Sequence, residues 1–235
     1  GNAMLYPDAG TRVSGDIDIW AWPVASEKGE PSIDWTLRLN RRREQILRSV
    51  HQVVKDTELC YHHIGFQSSN DIRIEVHFTP GIMNAYWHNG RLQNWFRQNA
   101  EEQFSHFVEL PDESGRVAVP TAYFNSVYQL AHIYHHFFDE GIGLRQLMDY
   151  YYVLTKGDLK VNRTEYADQL QSLGLFPFAR AVMYVLSEVF GLRYNQMTVP
   201  ADRKRGLVLL REILNGGNFG KFFIQYGRFT HRRKA

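Results

Sequence analysis

Two carboxylates two residues apart, Asp16 and Asp18, stand in the run Ser14-Gly15-Asp16-Ile17-Asp18-Ile19-Trp20. From Asp16 to Trp22 polar and apolar residues alternate at a period of two, which predicts a half-buried strand. Side chains two apart on a strand share a face. Asp16 and Asp18 therefore project together, while Ile17 and Ile19 turn to the other face and are expected to anchor the strand in the core. Two parallel carboxylates offer the hard oxygen ligands that Mg²⁺ takes, with positions left over for water and phosphate oxygens. Two such ions, about 4 Å apart, can clamp an in-line phosphoryl or nucleotidyl transfer. Gly15 removes a side chain just before the pair, where a phosphate would approach the backbone.

A third carboxylate comes from a second alternating run, Arg73-Ile74-Glu75-Val76-His77-Phe78. Glu75 shares its face with Arg73 and His77, and Ile74, Val76 and Phe78 face the core. His62 and His63 fall on the strand before it, and His77 is the histidine expected to face the cleft. Carboxylates beside it would favour its charged form. An Asp-x-Asp pair is also what a solvated strand face shows. The glycine before it, the apolar residues between and Glu75 on a second strand are what favour a site.

Other side chains carry less. His132 and His136 are four apart and would stack on one helix face, a metal-ligand spacing. Ile133 stands where a zinc protease needs Glu, and no His-Asp dipeptide occurs. These histidines are read as polar positions near a domain interface, beside Arg145 and Asp149. Arg41-Arg42-Arg43 and the terminal Arg228, Arg232, Arg233 and Lys234 read as solvated charge, with contact to an acidic or nucleic-acid acceptor as the alternative.

The elements that must position these groups follow from pattern. After the first strand, residues 23–33 form a loop. Asp34 is placed to cap a helix to about Lys55 with Leu37, Ile46, Val50, Val53 and Val54 on its apolar side. Strands are expected near Leu59–Gln67 and Ile72–Thr79, joined by the turn Ser68-Ser69-Asn70-Asp71. A helix around Gly90–Gln103 and a short strand around Val117–Val119 complete this part. Thr121 then caps a helix from Tyr123 to Phe138, with a stripe of Val127, Leu130, Ala131, Tyr134 and Phe138. Further helices are expected at Leu144–Leu154, Thr164–Leu173, Phe178–Phe190, Asp202–Leu214 and Phe219–Phe229. Gly157, Gly174, Gly191 and Gly216-Gly217 lie at their ends. The fold class is α+β: a small mixed-sheet domain over 4–120, then an all-helical domain over 121–230.

Composition bounds the function. A chain of 235 residues with 44% hydrophobic and 14% aromatic residues can bury a real core, and this excludes disorder. A net charge of +2 announces no nucleic-acid or membrane partner. One cysteine, Cys60, forms no internal disulfide and no Cys-based zinc site, and a reducing cytoplasm is the simplest expected setting. No apolar run approaches the roughly 18 residues of a membrane span. Gly1-Asn2-Ala3 ahead of Met4 reads as a tag remnant.

On several runs the chain resembles a known family. These are Leu5-Tyr6-Pro7-Asp8-Ala9-Gly10-Thr11-Arg12, Ser14-Gly15-Asp16-Ile17-Asp18-Ile19, Ile74-Glu75-Val76-His77-Phe78, Gln129-Leu130-Ala131-His132 and Gly143-Leu144-Arg145-Gln146-Leu147-Met148-Asp149. Together they look like the uncharacterised nucleotidyltransferase family of the polymerase-beta-like superfamily. The resemblance implies a sheet-and-helix catalytic domain with a helical partner domain. It implies transfer of a nucleoside monophosphate from an NTP to an acceptor hydroxyl or phosphate. By motif match, Asp16 and Asp18 would hold Mg²⁺, in a suspected two-ion site, and Glu75 would be a third ligand or a base for the acceptor. Arg12 would contact phosphate, since a guanidinium matches phosphate oxygens, and Ser14, Gly15 and His77 would line the substrate site. The superfamily pattern also places a helix and a Gly-Ser or Gly-Gly turn ahead of the aspartates to grip the triphosphate. Read from Met4, the first domain is expected to lack both, as a piece of a longer protein would. The alternative expectation is a non-catalytic protein of this fold that binds nucleotide or a macromolecular partner.

Overall fold

The computed structural model describes residues 2–12, 15–22, 35–110 and 113–216. The chain forms two compact units that part between Ala131 and His132. Every described element after residue 121 is helical or 3-10. Among the described residues no helix is long and apolar enough to cross a membrane.

In the first unit a short 3-10 turn over Ala9–Thr11 precedes β1 (Asp16–Trp20). There follow α1 (Trp35–Val53), β2 (Glu58–Leu59), β3 (His63–Gln67) and β4 (Arg73–His77). Next come α2 (Tyr86–Ser105), β5 (Phe107–Glu109), β6 (Arg116–Ala118) and α3 (Ala122–Asp139), whose residues from His132 on belong to the second unit. Four strands form one mixed sheet in the order β1-β4-β3-β2, and β5 and β6 form a separate antiparallel pair. The expected strand over Leu59–Gln67 is broken at Cys60–His62 into β2 and β3. Its turn chemistry holds: Ser68 Oγ accepts from Ile72 N at 3.1 Å, and Asp71 sits at φ 57°.

One face of the sheet is covered by α1. Leu39 and Ile46 pack on Ile64, Val76 and Phe78, with Ala21, Leu47, Val50, Phe66 and Ile74 around them. Two expectations fail here. Leu37 and Val53 are 54% and 85% exposed, so the buried stripe runs through 39, 42 and 46 instead. Its middle position is Arg42, which the pattern assigned to a solvated basic surface. Arg42 is buried, donates Nη1–H to Phe78 O at 3.0 Å and lies 3.8 Å over the Trp22 ring. A guanidinium stacked and hydrogen-bonded in this way takes an apolar position at tolerable cost. Ile17 and Ile19 also depart from expectation, at 45% and 44% exposed. They share a face with Ile74 and Val76, but β1 is the edge strand and they lie beyond the cluster that α1 seals.

On the opposite face aromatic rings gather at the Trp20 end. Trp20 stacks on Phe124 of α3 at 5.7 Å and meets Phe104 of α2 at 5.0 Å. Trp95 stacks on Phe124 at 4.8 Å. Thr121 caps α3 as expected, its Oγ1 accepting from Phe124 N at 3.4 Å.

The second unit holds α4 (Leu144–Lys156), α5 (Arg163–Ser172), α6 (Phe176–Phe190) and α7 (Arg203–Gly216), each within a few residues of its expected span. The expected helix over 219–229 and the terminal basic residues lie outside the described residues. Leu147, Tyr150, Val153, Tyr166, Leu170, Val182, Leu186, Leu209 and Ile213 form its buried interior. Gly191 closes α6 in the left-handed conformation, φ 69°. Gly206 lets α6 and α7 approach: a Cβ there would meet Tyr184 Cβ at 2.5 Å and Cγ at 2.6 Å. Gly206→Ala is therefore expected to destabilise by about 1–2 kcal/mol in urea denaturation, the overpacking strain exceeding the gain in helix propensity.

Candidate active site

β1 runs parallel to β4 with Asp16 opposite Arg73, Asp18 opposite Glu75 and Trp20 opposite His77. β4 runs antiparallel to β3 with His77 opposite His63 and Glu75 opposite Gly65. Directly opposed side chains share a face. Asp16, Asp18, Glu75, His77, Arg73 and His63 thus project together, away from the face that α1 covers. The pairing that brings Asp18 to Glu75 crosses 57 positions of sequence and follows from the β1–β4 register alone.

His77 is the centre of the arrangement. Its Nε2 lies 2.9 Å from Asp18 Oδ1 and 3.6 Å from Glu75 Oε2. Glu75 Oε1 is in turn 3.4 Å from His63 Nε2 and 3.5 Å from Arg73 Nε. Arg73 reaches on to Glu58 Oε2 at 2.8 Å. It lies across Gly65, where a Cβ would come within 2.8 Å of its Cζ. Side-chain exposure falls from 42% at Asp18 through 18% at Glu75 to 5% at His77, so the network runs from solvent into the interior.

The charges follow from this geometry. Burial opposes the charged His77 ring, but the hydrogen bonds and negative charges of Asp18 and Glu75 outweigh it and lift its pKa to about 9. Glu75 is held below the usual carboxylate range, chiefly by its bond to His77. Asp16 moves the other way: burial raises it, and the negative charges of Asp18 and Glu75 add to that. Burial lowers His63, so that ring is the neutral member. Tyr128 on α3, four residues after Phe124, has its pKa raised by burial and by the charges of Asp18 and Asp16, which keeps its hydroxyl protonated.

Of the residues read from sequence, Asp16, Asp18, Glu75 and His77 come together. Arg12 is half-buried at the end of the Ala9–Thr11 turn, with its N–H closing that turn on Ala9 O at 3.4 Å. Gly15 is exposed, and a Cβ built there meets nothing within 4 Å. Ser14 lies outside the described residues. His132 and His136 meet edge-to-face at 4.4 Å, and His136 faces Glu140 at 3.5 Å. Tyr128 and the His63–Glu75 pairing were not read from sequence. The aromatic pair Phe124 and Tyr128, one helical turn apart, was the available signal for the first.

The set fits a divalent cation. Three carboxylates share one face, and Asp16 is raised partly because its neighbours are negative, a repulsion that a cation would relieve. Asp18, Glu75 and His77 each offer a ligand atom within 4.8 Å of the others. Carboxylate oxygens are the donors Mg²⁺ takes.

The family model described as uncharacterised nucleotidyltransferase matches residues 1–191. No curated protein and no solved structure matches the chain. The matched span contains the whole sheet, the carboxylate face and the helices through α6, and on that coverage the chain belongs to the uncharacterised nucleotidyltransferase family.

Proposed function

We propose that this protein transfers a nucleoside monophosphate from an NTP to an acceptor hydroxyl or phosphate, with Mg²⁺ as cofactor. The observation that carries the reading is the register placing Asp18 of β1 beside Glu75 of β4, with Asp16 on the same face. In the transfer an acceptor oxygen forms a bond to the α-phosphorus, the bond to the bridging oxygen breaks, and pyrophosphate leaves with its electron pair. Asp16, Asp18 and Glu75 would hold Mg²⁺, which when bound supplies positive charge to the phosphate oxygens. Glu75, lowered by His77, suits a ligand role rather than that of a base. The Tyr128 hydroxyl stays protonated near these charges. Arg12 is the phosphate contact in this reading.

A second reading has support in the same network. Asp18 already accepts from His77, and Glu75 is flanked by His63, His77 and Arg73, so a non-catalytic, nucleotide-binding protein would show these partners too. Incubation of the natural gene product with labelled NTPs, Mg²⁺ and cell extract separates the two. Transfer predicts label on an acceptor, absent with Asp16→Asn/Asp18→Asn. Label that persists in the double variant rules out the carboxylate assignment, and Mg²⁺-dependent nucleotide binding without incorporation supports the second reading.

A further inference from the structure

Beside the carboxylates three imidazoles meet. One ring nitrogen of each of His62, His63 and His77 lies within 4.8 Å of the others. The ring centroids are 4.7, 5.1 and 5.3 Å apart, and His63 Nδ1 is 3.2 Å from His62 Nε2. The outer nitrogens are already engaged: His63 Nε2 faces Glu75 at 3.4 Å and His77 Nε2 faces Asp18 at 2.9 Å. What is left on His77 is Nδ1, which is buried without a hydrogen-bond partner on a side chain only 5% exposed. A buried polar nitrogen in that state calls for an explanation.

We propose that His62 Nε2, His63 Nδ1 and His77 Nδ1 form a binding site for a divalent transition-metal ion of the zinc class. The spacing fits, since metal–nitrogen bonds near 2.05 Å in a tetrahedron put neighbouring nitrogens about 3.3 Å apart, against the 3.2 Å between His63 and His62. The support fits as well. Metal-bound histidines characteristically turn their other ring nitrogen to a carboxylate, which fixes the ring and raises its basicity. Glu75 does this for His63, and Asp18 for His77. The local backbone explains how consecutive residues converge. His62 lies in the bend before β3, where strand alternation does not apply, and its carbonyl accepts from Phe78 N at 2.9 Å. Three nitrogen ligands select zinc, cobalt or nickel over Mg²⁺ and leave a fourth position for water or a phosphate oxygen. This site is distinct in donor type from the carboxylate edge and does not depend on the transfer reading.

The test is metal binding, with no activity readout. Tag-free full chain, stripped with chelator, is titrated with Co²⁺ and followed by visible absorption. The expected result is one equivalent bound with a four-coordinate spectrum, displaced by Zn²⁺ and unaffected by a large excess of Mg²⁺. His62→Ala, at a half-exposed position, should keep the parent far-ultraviolet circular dichroism and weaken Co²⁺ binding by about tenfold or more. His136→Ala should leave it unchanged. Parent-like affinity in His62→Ala, a six-coordinate spectrum displaced by Mg²⁺, or no stoichiometric binding would each overturn the site.

Discussion

Replacing Asp18 with asparagine is expected to lower transfer of label from NTP to acceptor by about 1,000-fold, equivalent to about 4 kcal/mol in the barrier. The substitution keeps the shape of the side chain and removes its charge. Asp18 is where that charge has most to do: it stands opposite Glu75, shares a face with Asp16 and is the most exposed member of the Asp18–Glu75–His77 network. Because Asp18 also holds the charged His77 ring at 2.9 Å, the substitution is expected to lower the melting temperature as well, so its rate is read at a temperature where the variant is folded. Glu75→Gln should cost more stability still, because Glu75 is the common partner of His63, Arg73 and His77. It should lose both activity and stability. Initial rates at saturating NTP, read beside thermal melts, make the comparison. An Asp18→Asn rate within tenfold of the parent would sink the assignment of this carboxylate.

Much of this site was legible because strands encode direction. A period of two fixed which residues share a face, so Asp16 with Asp18 and Glu75 with His77 could be grouped before any pairing was known. That β1 lies beside β4 depends on a pairing of distant segments, which no local pattern specifies. The burial of Ile17 and Ile19 was misjudged for a related reason: alternation gives the face of a residue, while its burial depends on how far the neighbouring helix reaches over an edge strand. Arg42 shows the limit on the helix side. Periodicity counts a guanidinium as solvent-facing, and only the Phe78 carbonyl and the Trp22 ring make its burial tolerable. The helices of the second unit were read closely because helix-ending glycines such as Gly174 and Gly191 act locally. Tyr128 was missed since the carboxylates that act on it, Asp16 and Asp18, lie more than 100 residues earlier in the chain.

The ion-free protein is expected to lose on the order of 3 kcal/mol of stability between pH 6.5 and pH 9, through His77 alone. Its folded pKa of about 9 stands above the ordinary value of 6.5. The folded state therefore binds the proton more tightly than the unfolded chain. The resulting stabilisation is fully present below pH 6.5 and is lost as the pH rises through about 9. Each tenfold difference in proton affinity between the two states is worth about 1.4 kcal/mol, and the ring is buried enough for solvent screening to remove little of it. Glu75 supplies the acid limit with the opposite sign. Its pKa is lowered, so its contribution is present above the ordinary value of 4.5 and lost as the pH falls through the depressed one. The two slopes leave a plateau between about pH 4.5 and 6.5. Urea denaturation with chelator present, in parent and His77→Gln, reports the histidine together with the partners whose titration it shifts, Glu75 and His63. The difference in stability should shrink steadily from pH 6.5 to 9.5. A difference that stays constant or grows over that range would show that Asp18 and Glu75 do not hold a charged ring at His77.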